Sequence, residues 1–183
     1  MKYKTIPPPE LLHELLRYED GRIYWKTRAT NETCSETKLN AWNKRYAGKE
    51  AGTLLRVRGN VYRHFSINKI HYLTHRVVWA MFNKHNPLSE IDHIDGNGQN
   101  NHIENLRDVD RSTNKRNSKK YSSNTSGIVG VYYYKRLGTW MSLINYNGGQ
   151  VYLGYFKTKE EAAIARKKAE EKYGYHGNHG REA

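Results

Sequence analysis

The feature that most constrains this chain is a polar run in its middle, residues 91–117, which reads IDHIDGNGQNNHIENLRDVDRSTNKRN. The D-G-N-G at residues 95–98 is a strong turn signal, so the chain is expected to fold back there. Residues 106–109 can form the returning strand, and Ser112 or Thr113 can cap a short helix after it. The run therefore predicts a strand–loop–strand–helix unit of about thirty residues.

Asp92 and His93 lie next to each other at the end of the first strand of this unit. Neighbouring residues on a strand point to opposite faces, so a carboxylate and an imidazole can flank a phosphate from two directions. A histidine can act as a general base near neutral pH. The oxygens of Asp and Asn side chains suit a hard cation such as Mg²⁺. These residue types favour hydrolysis of a phosphodiester, which needs an activated water and a charge-neutralising metal.

The net charge of +13 favours an anionic polymer or surface as partner. Residues 91–121 hold 6 Lys/Arg against 5 Asp/Glu, whereas residues 1–90 hold 16 against 8. The acids gathered in the middle therefore need a local role, such as a metal or a tight turn. Residues 111–120 have five basic side chains and no acid, so they can grip backbone phosphates. These basic residues are Arg111, Lys115, Arg116, Lys119 and Lys120.

Cys34 is the only cysteine, which excludes an intramolecular disulfide and a multi-cysteine zinc site. The longest apolar runs are far shorter than a membrane span, and the N-terminal residues lack the apolar core of a signal peptide. We therefore expect a soluble, cytoplasmic protein with no structural zinc and no membrane partner.

Residues 1–90 predict a small N-terminal α/β region. Leucines at positions 11, 12, 15 and 16 have helical spacing, and residues 21–28 read as a strand. We interpret residues 30–50, which are polar and rich in turn formers, as a loop. Strands with turns at residues 59–60 and 68–69 follow, and then a helix. The expected buried stripe of that helix consists of Val77, Val78, Met81 and Phe82.

The polar segment KKYSSNTSG at residues 119–127 suits a linker, and the chain after it predicts a β-β-β-α unit. The strands are expected at roughly 128–134, 139–145 and 150–156. Thr158 and Glu161 form a capping box for a helix that ends near Tyr173. The fold class is therefore α+β. The expected parts are 1–90, 91–120, a linker at 121–125, and 126–183.

The pattern D-H-x-D-G-N-x-x-x-N…E-N-L-R…N resembles the HNH endonuclease family, particularly phage and intron-encoded (homing) members with a ββα-metal site. The resemblance implies that His93 is the general base and that Asp92 and Asn114 bind the metal. Asn105, in the E-N-L element, would be the middle residue that ties the loop together. It further implies one divalent ion, Mg²⁺ or Mn²⁺, with no small-molecule cofactor. The final motif residue is Asn rather than His, which is a frequent variant.

Residues 126–174 resemble the ethylene-response-factor (APETALA-two) DNA-binding domain through G-V, G-x-W, V-Y-L-G-x-F and T-x-E-E-A-A-x-A. That family lays a three-stranded sheet, backed by a helix, in the major groove. This chain departs from it by carrying Tyr and apolar residues where plant members carry several Arg. Alternation along the strands and the first turn predict the DNA contacts. They are Tyr132, Tyr134, Lys135, Arg136, Asn145, Gln150 and Tyr152.

Together these patterns favour a metal-dependent endonuclease, a hydrolase that nicks or cuts double-stranded DNA, of phage or homing type. One alternative is a non-catalytic DNA-binding protein with a decayed nuclease motif, against which the intact Asp92, His93 and Asn114 weigh. Another is a basic RNA-binding protein, which offers no reason for the clustered acids. The sequence leaves open whether the protein is a monomer or a homodimer.

Overall fold

The computed structural model describes residues 4–29, 35–57 and 59–182, so Cys34 lies outside the described residues. The chain forms two compact units, Met1–Val109 and Asp110–Ala183. Both combine helices with small antiparallel sheets, which confirms the predicted α+β class. The expected division into parts that meet at residues 90, 120 and 125 stays a prediction.

The first unit is built from three small antiparallel sheets and three helices in its described part. In chain order its elements are α1 Pro9–Leu15, β1 Leu16–Glu19, β2 Arg22–Trp25, α2 Glu36–Tyr46, β3 Thr53–Val57, β4 Asn60–Ile67, β5 Ile70–Leu73, α3 Thr74–Asn83, β6 Glu90–His93 and β7 Leu106–Val109. The sheets are β1-β2, β3-β4-β5 and β6-β7. Asn68 and Lys69 have φ of 49° and 65°, the left-handed backbone that a two-residue hairpin turn needs, which confirms that predicted turn.

Helix α3 supplies the centre of the first unit's core. Val77 and Val78 are fully buried, and Met81 is 3% exposed, as the apolar spacing predicts. The inclusion of Phe82 in the buried stripe was wrong, because this ring is 47% exposed. It lies at the edge of the buried face, where it makes an edge-to-face contact with Tyr18 at 4.9 Å between ring centroids.

The interpretation of residues 30–50 as a loop was wrong, because α2 occupies Glu36–Tyr46. Leu39 and Trp42 are three positions apart and therefore share one helix face. Leu39 is 7% exposed, and the Trp42 ring meets the Trp25 ring edge to face at 5.5 Å. One buried leucine and one partly buried tryptophan are too weak a pattern to predict a helix, yet their packing stabilises this otherwise polar helix.

The second unit is a three-stranded antiparallel sheet, β8-β9-β10, packed on one long helix. Its elements are α4 Arg111–Lys115, β8 Val131–Tyr134, β9 Thr139–Tyr146, β10 Gly149–Phe156 and α5 Lys159–Lys172. The predicted capping box is present, since the Thr158 hydroxyl accepts from the Glu161 backbone N–H and the Glu161 carboxylate accepts in return. Strand β8 begins at Val131 rather than 128, because Gly130 has a φ of 77° and ends a turn there.

Arg166 on α5 carries a charge into the core of the second unit, where it is 3% exposed. Its guanidinium donates to the Leu143 carbonyl at 2.6 Å, to the Glu170 carboxylate at 2.8 Å and to Nε2 of His179 at 3.2 Å. A buried guanidinium is tolerated when its N–H donors have hydrogen-bond acceptors in this way. His179 must therefore be neutral for Nε2 to accept.

The C-terminal segment lies against the residues that follow α4, within the same unit. Gly180 N–H donates to the Ser118 carbonyl at 2.9 Å, and Lys120 N–H donates to the Arg181 carbonyl at 3.0 Å. The Arg181 guanidinium donates to the backbone and side-chain oxygens of Asn117, a residue only 2% exposed. These bonds fix the residues that follow α4, a five-residue helix that would be marginal in isolation.

We expect the second unit to lose stability in mild acid through His179. Burial, and then the charge of Arg166, lower the pKa of His179 to about 4 from 6.5. The unfolded chain binds this proton more readily, so the contribution is intact above about pH 6.5 and is lost as the pH falls toward 4. His179→Gln keeps an acceptor for Arg166 but does not titrate. It should flatten the decline in melting temperature between pH 7 and 5.

The exposed His85 of the first unit provides the matched control. His85→Gln should leave the pH dependence of the melting temperature unchanged. If His179→Gln and wild type declined in parallel, His179 would not be the group responsible.

Candidate active site

Strands β6 and β7 form a two-stranded ladder that carries the predicted catalytic pair. The register sets Asp92 opposite Arg107 and His93 opposite Leu106. Leu106 is 5% exposed and anchors this ladder in the core of the first unit. The Asp108 carboxylate accepts the backbone N–H of Ser89 at 2.9 Å, which fixes the chain as it enters β6.

Asp92 is a buried carboxylate, 6% exposed, whose partner is the residue directly across the ladder. Arg107 donates to its Oδ2 twice, from Nε at 2.9 Å and from a terminal nitrogen at 2.7 Å. Both bonds end on the same oxygen, so Oδ1 takes no part in this ion pair. The guanidinium therefore sets the plane of the carboxylate and compensates its charge.

His93 is 5% exposed, and one ring nitrogen is held by the loop. Its Nε2 lies 3.1 Å from Oδ1 of Asn101, whose own amide donates to the Gln99 carbonyl at 3.3 Å. Because that second bond directs the oxygen of Asn101 at the ring, Nε2 carries the proton and Nδ1 carries the lone pair. Asn101 is one of several asparagines in this turn-rich loop. The structure shows that it also orients the imidazole.

His75 and Tyr62 form an aromatic wall beside His93. The His75 ring meets the His93 ring edge to face at 4.9 Å, and the Tyr62 ring lies 6.1 Å from it. Burial lowers the pKa of His75 well below its usual value, and His93 and Arg76 lower it further. Burial also lowers the pKa of His93, although the Asn101 bond and the carboxylates of Asp95 and Asp92 oppose this. Both rings are therefore neutral at pH 7.

The loop between β6 and β7 is organised by Asp95 and Asn105. The Asp95 carboxylate accepts from the Asn97 backbone at 2.8 Å, the Asn100 amide at 2.7 Å and the Asn105 amide at 2.9 Å. In return, the Asp95 backbone N–H donates to the Asn105 side-chain oxygen at 3.0 Å. Asn105, near the end of the loop, is thus bonded to Asp95 at its start, and the Asp95 carboxylate stabilises the turn between them. The same network delivers Asn101 to His93.

Helix α4 is capped by Asp110, not by Ser112 or Thr113, which the sequence suggested as caps. The Asp110 carboxylate accepts the backbone N–H groups of Ser112 at 2.7 Å and of Thr113 at 3.0 Å. A carboxylate at this position satisfies two N–H groups that the helix leaves unpaired. Asn114 is the fourth residue of α4 and belongs to the second unit.

Asp92, His93 and Asn105 all belong to the first unit, and the predicted DNA contacts all belong to the second. Arg111, Lys115, Lys135 and Arg136 are exposed, whereas Lys120 pairs with Glu182 at 2.6 Å. The remaining predicted contacts are half-buried or exposed; they are Arg116, Lys119, Tyr132, Tyr134, Asn145, Gln150 and Tyr152.

Sequence reasoning missed Arg107, Asn101 and Tyr155. Arg107 could have been found by aligning β6 with β7, since it falls opposite Asp92. Tyr155 was missed because β10 has an irregularity between Tyr152 and Gly154, and strict alternation does not pass through it.

The comparisons with known proteins identify the part of the chain around this site. Residues 72–116 match a family model described as HNH endonuclease. The match runs from β5 through α3, β6, β7 and α4, and includes Asp92, His93 and Asn114. It supports a nuclease function for this segment. No curated protein and no solved structure matches the chain.

The HNH match ends at residue 116, before the C-terminal sheet. The resemblance of that part to the ethylene-response-factor domain stays a prediction, although its β-β-β-α order is observed. Among the helices of the described residues, none is long and apolar enough to cross a membrane.

Gly98 allows the loop between β6 and β7 to pass directly against β4. A Cβ at this position would lie 2.5 Å from the Val61 carbonyl oxygen and 2.8 Å from the Tyr62 ring. Gly98→Ala should therefore displace the loop and lower the free energy of unfolding of the first unit by about 1–3 kcal/mol. Thermal unfolding of the full chain measures this.

Gly177 serves as the control, because a Cβ there would meet nothing within 4 Å. Gly177→Ala should leave the melting temperature close to wild type. Equal melting temperatures for both variants would show that the loop does not need this close approach.

Proposed function

We propose that this chain is a metal-dependent endonuclease that hydrolyses phosphodiester bonds of duplex DNA. The observation that carries the proposal is His93, a buried neutral imidazole whose Nε2 is held by Asn101, beside a carboxylate that Arg107 orients. This arrangement lies inside the segment that matches HNH endonucleases. The resemblance to phage and homing members supports a similar biological setting, in the cytoplasm of a host cell.

The residues that the resemblance assigns to the metal, Asp92 and Asn114, are of types that suit a hard divalent cation. Asp92 contributes a carboxylate and Asn114 a side-chain amide oxygen, and such oxygens suit Mg²⁺ or Mn²⁺. Within the described ranges there is no group of three or more His, Cys, Asp and Glu that could hold an ion. A site with few protein ligands accords with Mg²⁺, which keeps several waters. When bound, the ion would polarise the phosphate and stabilise charge on the leaving oxygen.

His93 supplies the proton-accepting group for the attacking water. Nε2 donates to Asn101, so Nδ1 carries the lone pair of the ring, which is neutral at pH 7. As Nδ1 removes a proton, the water oxygen bonds to phosphorus and the bond from phosphorus to the leaving oxygen breaks. Asn101 then stabilises the imidazolium by accepting the Nε2–H bond, and it also prevents ring rotation.

The second unit provides the charge that binds DNA. It holds 14 Lys/Arg against 6 Asp/Glu. Residues 111–120 at its start contain five of those cations and no acid. Contacts of this kind are made with phosphates and carry no sequence information. Affinity should therefore fall steeply with salt concentration.

His93→Ala removes the proposed general base and should slow cutting by about 10²- to 10⁴-fold. Binding of a DNA duplex without metal should be unchanged, because this side chain is buried. Nicking of supercoiled plasmid in Mg²⁺ and fluorescence anisotropy in EDTA measure the two properties. His85→Ala, an exposed histidine outside the site, is the control.

The same assay tests the alternative of a DNA-binding protein with a decayed nuclease motif. The Arg107 guanidinium already compensates the charge of Asp92, as it would in a site that no longer takes a metal. Absence of nicking by wild type, at the level of His93→Ala, would establish that alternative and overturn the nuclease.

Asp92→Asn keeps an acceptor for Arg107 but removes the negative charge assigned to the metal. The Mg²⁺ concentration for half-maximal nicking should rise by at least about tenfold. Binding of Mn²⁺, followed by electron paramagnetic resonance, should weaken in parallel. Asp20→Asn, a carboxylate whose side chain is 87% exposed, is the control. An unchanged Mn²⁺ affinity for Asp92→Asn would remove Asp92 from the ligand set.

A further inference from the structure

The outer face of the β8-β9-β10 sheet is unusually rich in tyrosine. The inner face carries Val131, Ser142 and Ile144, which are at most 1% exposed and lie toward α5. Residues of the opposite alternation form the outer face, and the irregularity in β10 adds Tyr155 to it. We call this surface the tyrosine face; it consists of Tyr132, Tyr134, Met141, Leu143, Tyr152 and Tyr155.

Three rings of the tyrosine face adjoin one another, and three of its four tyrosines are exposed to solvent. Tyr155 lies 5.5 Å from Tyr134 and 5.3 Å from Tyr152, measured between ring centroids. Tyr132 is 48% exposed, Tyr152 52% and Tyr155 44%. Exposed aromatic surface of this extent marks a binding site more often than a passive surface.

The charge around the tyrosine face favours an anionic partner. Residues 111–159, which include all three strands, contain nine Lys/Arg and no Asp or Glu. The acids of the second unit are confined to Asp110 and to residues 160–182, on α5 and the C-terminal segment. Lys135 and Arg136 lie in the turn between β8 and β9, at the border of the face. A nucleic acid strand fits this distribution, and an acidic peptide would find no planar partner for the rings.

The tyrosine face itself has no charged side chain, so its centre is suited to bases rather than phosphates. Reading base edges in a duplex groove needs side chains with paired donors and acceptors. Asn145 and Gln150 provide these only at one end, where they face each other across β9 and β10. Aromatic planes instead bind the π-faces of bases, which a duplex hides and a single strand exposes.

We propose that the tyrosine face binds unpaired bases of a DNA strand by stacking, with the surrounding lysines and arginines on its phosphates. The second unit would then direct the nuclease to DNA with a single-stranded segment. The proposal rests on the proposed function only in taking DNA as the partner.

Binding by the full chain in EDTA tests the proposal without any cutting. The probes are a fluorescent 12-nucleotide thymidine strand, an abasic strand of the same length, and a 12-base-pair duplex. Stacking predicts that the abasic strand, which keeps the phosphates, binds about 5- to 100-fold more weakly than the thymidine strand. Equal affinity for the two strands, or tighter binding of the duplex than of either, would overturn the proposal.

Substitutions distinguish stacking on the tyrosine rings from hydrogen bonding by their hydroxyl groups. Tyr152→Leu and Tyr155→Leu should each weaken binding of the thymidine strand at least about 5-fold. Tyr152→Phe and Tyr155→Phe should retain this binding, because phenylalanine keeps the planar aromatic ring. Weakening by the Phe variants to the level of the Leu variants would indicate hydroxyl–phosphate bonds and overturn stacking.

Tyr133 offers a matched control, since it is 52% exposed, like Tyr152, but alternates to the other side of β8 beside Trp140. Tyr133→Leu should leave affinity for the thymidine strand unchanged when its melting temperature confirms folding. Plasmid nicking by the Leu variants in Mg²⁺ keeps this result apart from the proposed function. If a Leu variant binds the thymidine strand more weakly but still nicks plasmid, the effect is on the tyrosine face alone. If the wild type does not nick plasmid at all, the proposed nuclease function fails, and the binding result is unaffected.

Discussion

Burial of two adjacent ionisable residues, Asp92 and His93, is the constraint on which the first unit depends. Neither side chain is more than 6% exposed, so each needs a hydrogen-bonding partner to offset the loss of water. Arg107 meets the carboxylate from the opposite strand, and Asn101 meets the imidazole from the loop. The short ladder and the loop therefore have to form together, because each holds one of the two partners.

The local patterns of the sequence were sufficient for the strand–loop–strand–helix order. Turn residues at 95–98 and the apolar spacing of α3 act over a few positions and can be read directly. The α2 helix was missed because its packing on the core relies on Leu39 and Trp42, too few apolar positions to form a helical pattern. Tertiary contacts decide such a helix, and a single sequence does not display them.

The central residues of the candidate site were predictable from the sequence, but the residues that hydrogen-bond to them and hold them in place were not. The resemblance pointed to His93 and Asp92, whereas Asn101 looked like one of several turn-forming asparagines. Its role follows from a contact over eight positions that the Asp95 and Asn105 bonds create. Arg166 was equally hidden, since an arginine on a helix is normally solvated unless several acceptors converge on it.

The hydrogen bonds between the C-terminal segment and residues 117–120 have a consequence for how such proteins can evolve. The HNH match runs to residue 116, past Val109, where the first compact unit ends. A gene fusion that exchanged the chain after residue 120 would replace Arg181 and leave Asn117 without this partner. A junction before Asp110 would keep these bonds within one part, but the incoming part would then have to supply the residue at position 114.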